Sequence, residues 1–261
     1  MVNSKFPGVK GLLPVSMLDW EGHLVTTIFT GSCNLRCPFC HNAALALDNG
    51  EMPEINEAEF LELLHSKKGW VDAICITGGE PTMNPALVDI MTTIKELGYK
   101  IKLDTNGTRP GVLRELLGMR LIDAVAMDIK TSFAKYPLAT GVARDYSCEV
   151  GDSMKLFVEA HKRGEIELEF RTTVVPELVE LDDVVEIARS IRALYAMNEC
   201  TPGSMASSCN STMRCNYYLQ QFNPKTVMRE EMGEVKPYTL EQMEQAVAQA
   251  SEYVTTILRG K

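Results

Sequence analysis

Leu24-Val-Thr-Thr-Ile-Phe-Thr30 runs straight into Gly31-Ser-Cys-Asn-Leu-Arg-Cys-Pro-Phe-Cys-His-Asn42. The first segment is apolar and β-branched and reads as a strand. The second carries Cys33, Cys37 and Cys40 at the spacing C-x3-C-x2-C. Structural zinc sites and ferredoxin clusters close their coordination with four protein ligands. Three thiolates therefore either borrow a distant ligand or leave one iron open, and an open iron can bind a reactant.

Outward from this loop, strand and helix patterns alternate. A helix starts at the N-cap candidate Asn56 and runs through His65. Val71–Thr77 reads as the second strand, and Asn84-Pro85 as the cap and start of a helix that stops near Gly98. Further strands are Lys100–Asp104, Leu121–Ile129, Ile166–Val175 and Asn216–Phe222. Helices fall at Pro110–Leu117, from about Asp152 to Arg163, at Leu181–Ala196, and from Thr239, where Gln242 completes a capping box. Six β-then-α units with near-continuous apolar strands predict an α/β fold. Parallel strands with outer helices would form a partial (β/α)6 barrel, open on one side. No Gly/Ser-rich linker or repeat divides residues 1–261, so a single domain is expected.

Ligand sites in such folds collect at the C-terminal ends of strands. Cys33, Cys37, Cys40, Glu80, Asp104, Thr105, Asp128, Lys130, Arg171 and Gln221 all read as lying there. In order along the chain come Gly78-Gly-Glu-Pro-Thr82, Leu103-Asp-Thr-Asn-Gly107, Ala126-Met-Asp-Ile-Lys130, Phe170-Arg-Thr-Thr-Val-Val-Pro176 and Tyr218-Leu-Gln-Gln-Phe222. With these motifs the chain resembles the radical S-adenosylmethionine (SAM) superfamily. Within it, the chain is most similar to activating proteins of anaerobic ribonucleoside-triphosphate reductase, from about Gly8 to Pro237, with an interruption between roughly Met197 and Cys215.

The resemblance implies that the three thiolates hold a 4Fe–4S cluster whose fourth iron takes SAM. Phe39 matches the family's aromatic position near adenine, and His41 adjoins the last thiolate. Gly78, Gly79 and Glu80 match the segment at the methionine amino group. Asp104, Thr105, Met127 and Asp128 match positions that contact SAM or a monovalent cation. Lys130 and Arg171 supply positive charge, and Gln221 (or its neighbour Gln220, on the opposite side of the strand) a contact to adenine or ribose. The implied activity is reductive SAM cleavage that places a glycyl radical on a partner enzyme, with flavodoxin or ferredoxin as electron donor.

Blander readings stand beside these. His41 could complete a zinc knob, Gly78-Gly79 could be a tight turn, and Asp128 with Lys130 an exposed ion pair worth at most ~1 kcal/mol. Arg171 is costly to bury without an anionic partner. Two other functions also fit a cysteine loop: a radical SAM enzyme with a small-molecule substrate, and an iron–sulfur carrier or sensor without catalysis.

A hydrophobic share of 45% with 23% charged residues is ordinary for a globular chain. The net charge of −9 argues against a nucleic-acid surface. No apolar stretch reaches the ~18 residues needed to span a bilayer, and no signal peptide is visible, so a cytoplasmic protein is expected. Eight cysteines then read as reduced thiols or metal ligands. Cys75 reads as a buried strand residue. Cys200, Cys209 and Cys215 lie in a polar insertion at about 197–215, where a second metal site is conceivable with Cys148, in the loop after the fourth strand, as a further ligand. Free or disulfide-forming thiols are the default there.

Overall fold

The computed structural model describes residues 8–197 and 215–260. Its strands are β1 (Val9–Ser16), β2 (Val25–Thr30), β3 (Ala73–Gly78), β4 (Lys100–Thr105), β5 (Ala124–Asp128), β6 (Glu167–Val174), β7 (Asn216–Gln221) and β8 (Thr256–Arg259). They form one sheet in sequence order, with β1 and β8 at its edges. β1 is antiparallel to β2, whereas β2–β3, β3–β4, β6–β7 and β7–β8 pair in parallel. Between successive strands from β2 onward lie α1 (Ala43–Ala46) and α2 (Glu57–Lys67), α3 (Leu87–Glu96), α4 (Pro110–Gly118), α5 (Tyr136–Thr140) and α6 (Ser147–Lys162), α7 (Leu181–Ala196) and α8 (Leu240–Ala250).

The fold is α/β with a mostly parallel, open sheet, as the alternation of patterns predicts. The strand count is eight among the described residues rather than six. β1 escaped because Gly11 and Pro14 interrupt its pattern, which an edge strand tolerates. β8 is only four residues long.

Helix starts follow their caps. Asn56 accepts from Glu59 N, and Thr239 and Gln242 make both bonds of a capping box. Two starts depart from expectation. Asn84 Oδ1 accepts from Ala86 N at 2.9 Å, an Asx turn that uses up its capping oxygen, and α3 begins at Leu87. α6 begins at Ser147, after Asp145 accepts from the Ser147 amide at 2.9 Å. Cys148 is therefore an exposed helical residue and not part of a loop.

The described residues fall into two compact units, the first within Met1–Arg36, Cys40–Thr105 and Gly111–Ala126, the second within Cys37–Phe39, Asn106–Pro110 and Met127–Lys261. In the first, α3 packs on β4, and Ile90, Ile94, Ile101 and Leu103 are fully or almost fully buried. In the second, α6 and α7 pack on β6 while α8 packs on β7, β8 and α7. β6 alternates: Leu168, Phe170, Thr172 and Val174 are buried, while Glu169, Arg171 and Thr173 stay half-exposed on the other side. One side of this strand thus builds the core and the other is left to polar chemistry.

Phe170, fully buried, anchors that core. Phe170→Ala should cost about 3–5 kcal/mol, read as a fall in the denaturant midpoint. A loss below about 1 kcal/mol would show that the core does not depend on it.

Candidate functional site

In the first unit the chain leaves β2 and turns at Ser32, whose φ of 66° is left-handed. A residue with a Cβ holds that conformation only when its surroundings over-determine it. Here Ser32 N donates to Leu45 O and its hydroxyl to Asp48 O, both at 2.8 Å, and its carbonyl accepts from Glu80 N at 2.8 Å. Asp48 is itself fixed by a buried ion pair with Lys10 at 3.1 Å. Cys33 therefore starts from a rigid point.

The Gly-Gly pair explains how β3 comes so close. A Cβ on Gly79 would lie 2.1 Å from Ser32 O, and one on Gly78, with φ of 126°, 2.3 Å from Thr30 O. The glycines serve first to bring the end of β3 against the root of the cysteine loop. Asn42 Nδ2 donates to Gly78 O at 3.1 Å, so the far end of the loop is tied to the same pair.

Glu80 is 1% exposed. Its Oε1 accepts from Thr82 N at 3.2 Å, the Thr82 hydroxyl at 2.5 Å and the Thr105 hydroxyl at 2.7 Å, so Glu80 and Thr105 are brought together. Asp104 is half-buried, and Cys75, fully buried as expected, lies with its sulfur 3.8 Å from Asp104 Oδ1. Cys33 and Cys40 are half-buried and outside any disulfide, and His41 is exposed. Leu35 N points at Cys33 Sγ at 3.4 Å.

In the second unit Cys37 and Phe39 are buried, and Pro38 O between them accepts from both Met228 N and Arg229 N at 3.0 Å. Asp128 gathers two cations. Arg171 Nε is 2.8 Å from its Oδ1, and Lys130 Nζ is 2.9 Å from its Oδ2. Burial alone would raise the Asp128 carboxyl, but the charges of Arg171 and Lys130 overcome it and hold the pKa at about 2. Arg171 has the anionic partner its burial demands. It lies inside β6, not at the strand's end, because Ile129 N bonds Arg171 O and β5 stops level with it. Met127 is fully buried.

Gln220 stands opposite Thr173, on the half-exposed side shared with Arg171, and accepts from the Thr173 hydroxyl at 3.3 Å. Gln221 stands opposite Val174 and donates to Tyr238 O at 2.8 Å. Sequence reasoning missed Glu169 and Arg259, whose charges join this set. A carboxylate two residues before Arg171 in an apolar strand was the available signal. Cys200 and Cys209 lie outside the described residues. Cys215 is buried just before β7, and burial pushes its thiol up to about 12, away from the thiolate a metal takes. Among the described residues no three His, Cys, Asp or Glu side chains converge on one point, as a single ion requires. Thiolates that each take a different iron have no such need.

Gly79→Ala should lower stability by about 1–3 kcal/mol, because the atom it meets is backbone, and a melting curve will read the loss. An unchanged melting temperature would show that the close approach adds nothing to stability. Asp128 gives a pH signature. Its folded pKa lies below the ordinary 3.8, so its contribution is present above about pH 4 and lost as pH falls through about 2. Side-chain exposure of 28% leaves a contribution of about 2 kcal/mol. Urea midpoints of Asp128→Asn and the parent chain should converge between pH 5 and about 2; a constant gap would refute the coupling.

Residues 27–191 match the sequence model of the Radical SAM superfamily. A Methanocaldococcus jannaschii protein, provisionally named a glycyl-radical enzyme activating enzyme, is 34% identical over 74% of this chain and 80% of its own. The pyruvate formate-lyase-activating enzyme of Clostridium pasteurianum is 32% identical over 44% of this chain and 49% of its own. The fold is similar to Streptococcus suis SuiB bound to its precursor peptide SuiA, with TM-score 0.62 and 14% identity over 90% of this chain and 48% of SuiB. No described helix is long and apolar enough to cross a membrane. The chain is an enzyme that belongs to the Radical SAM superfamily.

Proposed function

We propose that this chain is a cytoplasmic activase that cleaves SAM reductively and installs a glycyl radical on a partner enzyme, the anaerobic ribonucleoside-triphosphate reductase. The observation that carries the reading is the cysteine loop: three cysteines outside any disulfide at C-x3-C-x2-C after a parallel strand, in a chain 34% identical to a relative provisionally named a glycyl-radical enzyme activating enzyme. The donor set fits a 4Fe–4S cluster. All three ligands are thiols free of disulfides, and an amide N–H already faces Cys33 Sγ.

When bound, that cluster supplies the low-potential electron that splits the sulfonium of SAM. The protein's task is to hold and orient. Cys33, Cys37 and Cys40 would be the ligands. Lys130 and Arg171, oriented by Asp128, would receive the SAM carboxylate. Glu80, its Oε1 oriented by Thr82 and Thr105, would take the amino group. A flavodoxin or ferredoxin would deliver the electron.

Anaerobic reconstitution should give a protein that cleaves SAM with dithionite, and Cys33→Ala, Cys37→Ala or Cys40→Ala should each abolish cleavage. Lys130→Ala should weaken SAM binding about fivefold or more while iron content stays at the parent level. With the reductase present, a glycyl-radical resonance should require this protein, SAM and a reductant together. SAM cleavage without that resonance would favour a small-molecule substrate, and no cleavage at all would favour an electron carrier.

A further inference from the structure

In the second unit, charged side chains alternate in sign across the sheet: Lys130, Asp128, Arg171, Glu169, Arg259. Lys130 and Arg171 hold Asp128 at 2.9 and 2.8 Å. Arg171 Nη1 lies 3.9 Å from Glu169 Oε1. Arg259, on β8, donates to both Glu169 oxygens at 3.1 and 3.0 Å. Its guanidinium lies over the Tyr218 ring, 3.4 Å from the centroid.

Arg171 thus has a carboxylate on either side, one at hydrogen-bond distance and the other about an ångström beyond it. What distinguishes the two is the partner of Glu169. A guanidinium fork that fills both oxygens and is itself stacked on an aromatic ring is a strong and well-oriented partner. Glu169 is 13% exposed. Without Arg259, Glu169 would lose the fork that fills both its oxygens, with the Arg171 cation already 3.9 Å away. The least costly relief is to draw Arg171 across, off Asp128.

We propose that Arg259 is a positioning residue for the SAM site: by occupying Glu169 it keeps Arg171 on Asp128. The inference rests on the reading that Arg171 and Lys130 receive the SAM carboxylate. It gives the last strand, remote in sequence from every motif of that site, a role in cofactor affinity.

The test is SAM titration of the reconstituted protein by calorimetry. Arg259→Met should weaken binding about fivefold to tenfold, and Arg259→Lys, which keeps the charge but not the fork, should weaken it less. Adding Glu169→Gln to Arg259→Met should restore affinity to within about twofold of the parent, because the Glu169 carboxylate then no longer competes for Arg171. A purely structural role for β8 predicts the reverse, since the double variant loses both partners. Parent-like binding by Arg259→Met, or no recovery in the double variant, would overturn the proposal. If Arg259→Met does not fold, the pair Arg259→Lys and Arg259→Lys/Glu169→Gln carries the same comparison. Crystal structures without SAM separate the two readings: Arg171 should sit on Glu169 in Arg259→Met and on Asp128 in the double variant. Unaltered SAM affinity in Asp128→Ala and Arg171→Met would refute the SAM site alone and leave that crystallographic switch to judge Arg259.

Discussion

Backbone pressed against backbone is the constraint from which the rest of the site follows. The end of β3 meets the root of the cysteine loop so closely that Gly79 has no room for a Cβ beside Ser32 O. That contact allows Glu80 N to bond the Ser32 carbonyl, which helps hold Ser32 left-handed, which sets where Cys33 begins. Strain of this kind persists only where several bonds agree. Ser32 has three, and its partner Asp48 is locked in turn by Lys10 and by the amides of Gly50 and Met52. The root of the cysteine loop is therefore fixed, and Cys33 follows directly on that residue.

A different economy governs Asp128. A carboxylate held largely out of water is unfavourable by itself, and two cations more than offset that cost. The cations gain as well: Arg171 sits in a strand whose other side is core, and its charge would be untenable there without an anion. Charge of both signs is thus stored in one place before any ligand arrives. On the reading proposed above, the two cations stand ready for a carboxylate without rearrangement of the protein.

Most of the architecture was legible in the sequence because caps and strands are local. Thr239 with Gln242 marks a helix start unambiguously, and Leu181–Ala196 is bounded as its pattern says. Asn84 misled because the same side chain serves as a cap or as the acceptor of an Asx turn, and sequence does not distinguish the two. The motif residues were legible through their order along the chain. Their partners were not. Arg171 announced that it needed an anion, yet Asp128, Glu169 and Arg259 are brought together by strand register, and the four residues of β8 carry too little pattern to be seen. Gln220 and Gln221 show the same limit, since the choice of side depends on which residue of β6 each one faces.

The bond from Pro38 to the 228–229 backbone has a consequence for the order of events in biogenesis. Pro38 lies between two of the cysteines, but the amides that fix it come from the segment after β7, most of the chain away. Contacts of such separation form late, because the loop they close must be ordered first. A nascent chain holds all three thiols long before it holds the segment that fixes the middle one. On the proposed reading of these thiols as iron ligands, iron delivered at that stage would meet a loop not yet in its final shape. The thiols come first in the sequence, and the contact that holds their loop comes last.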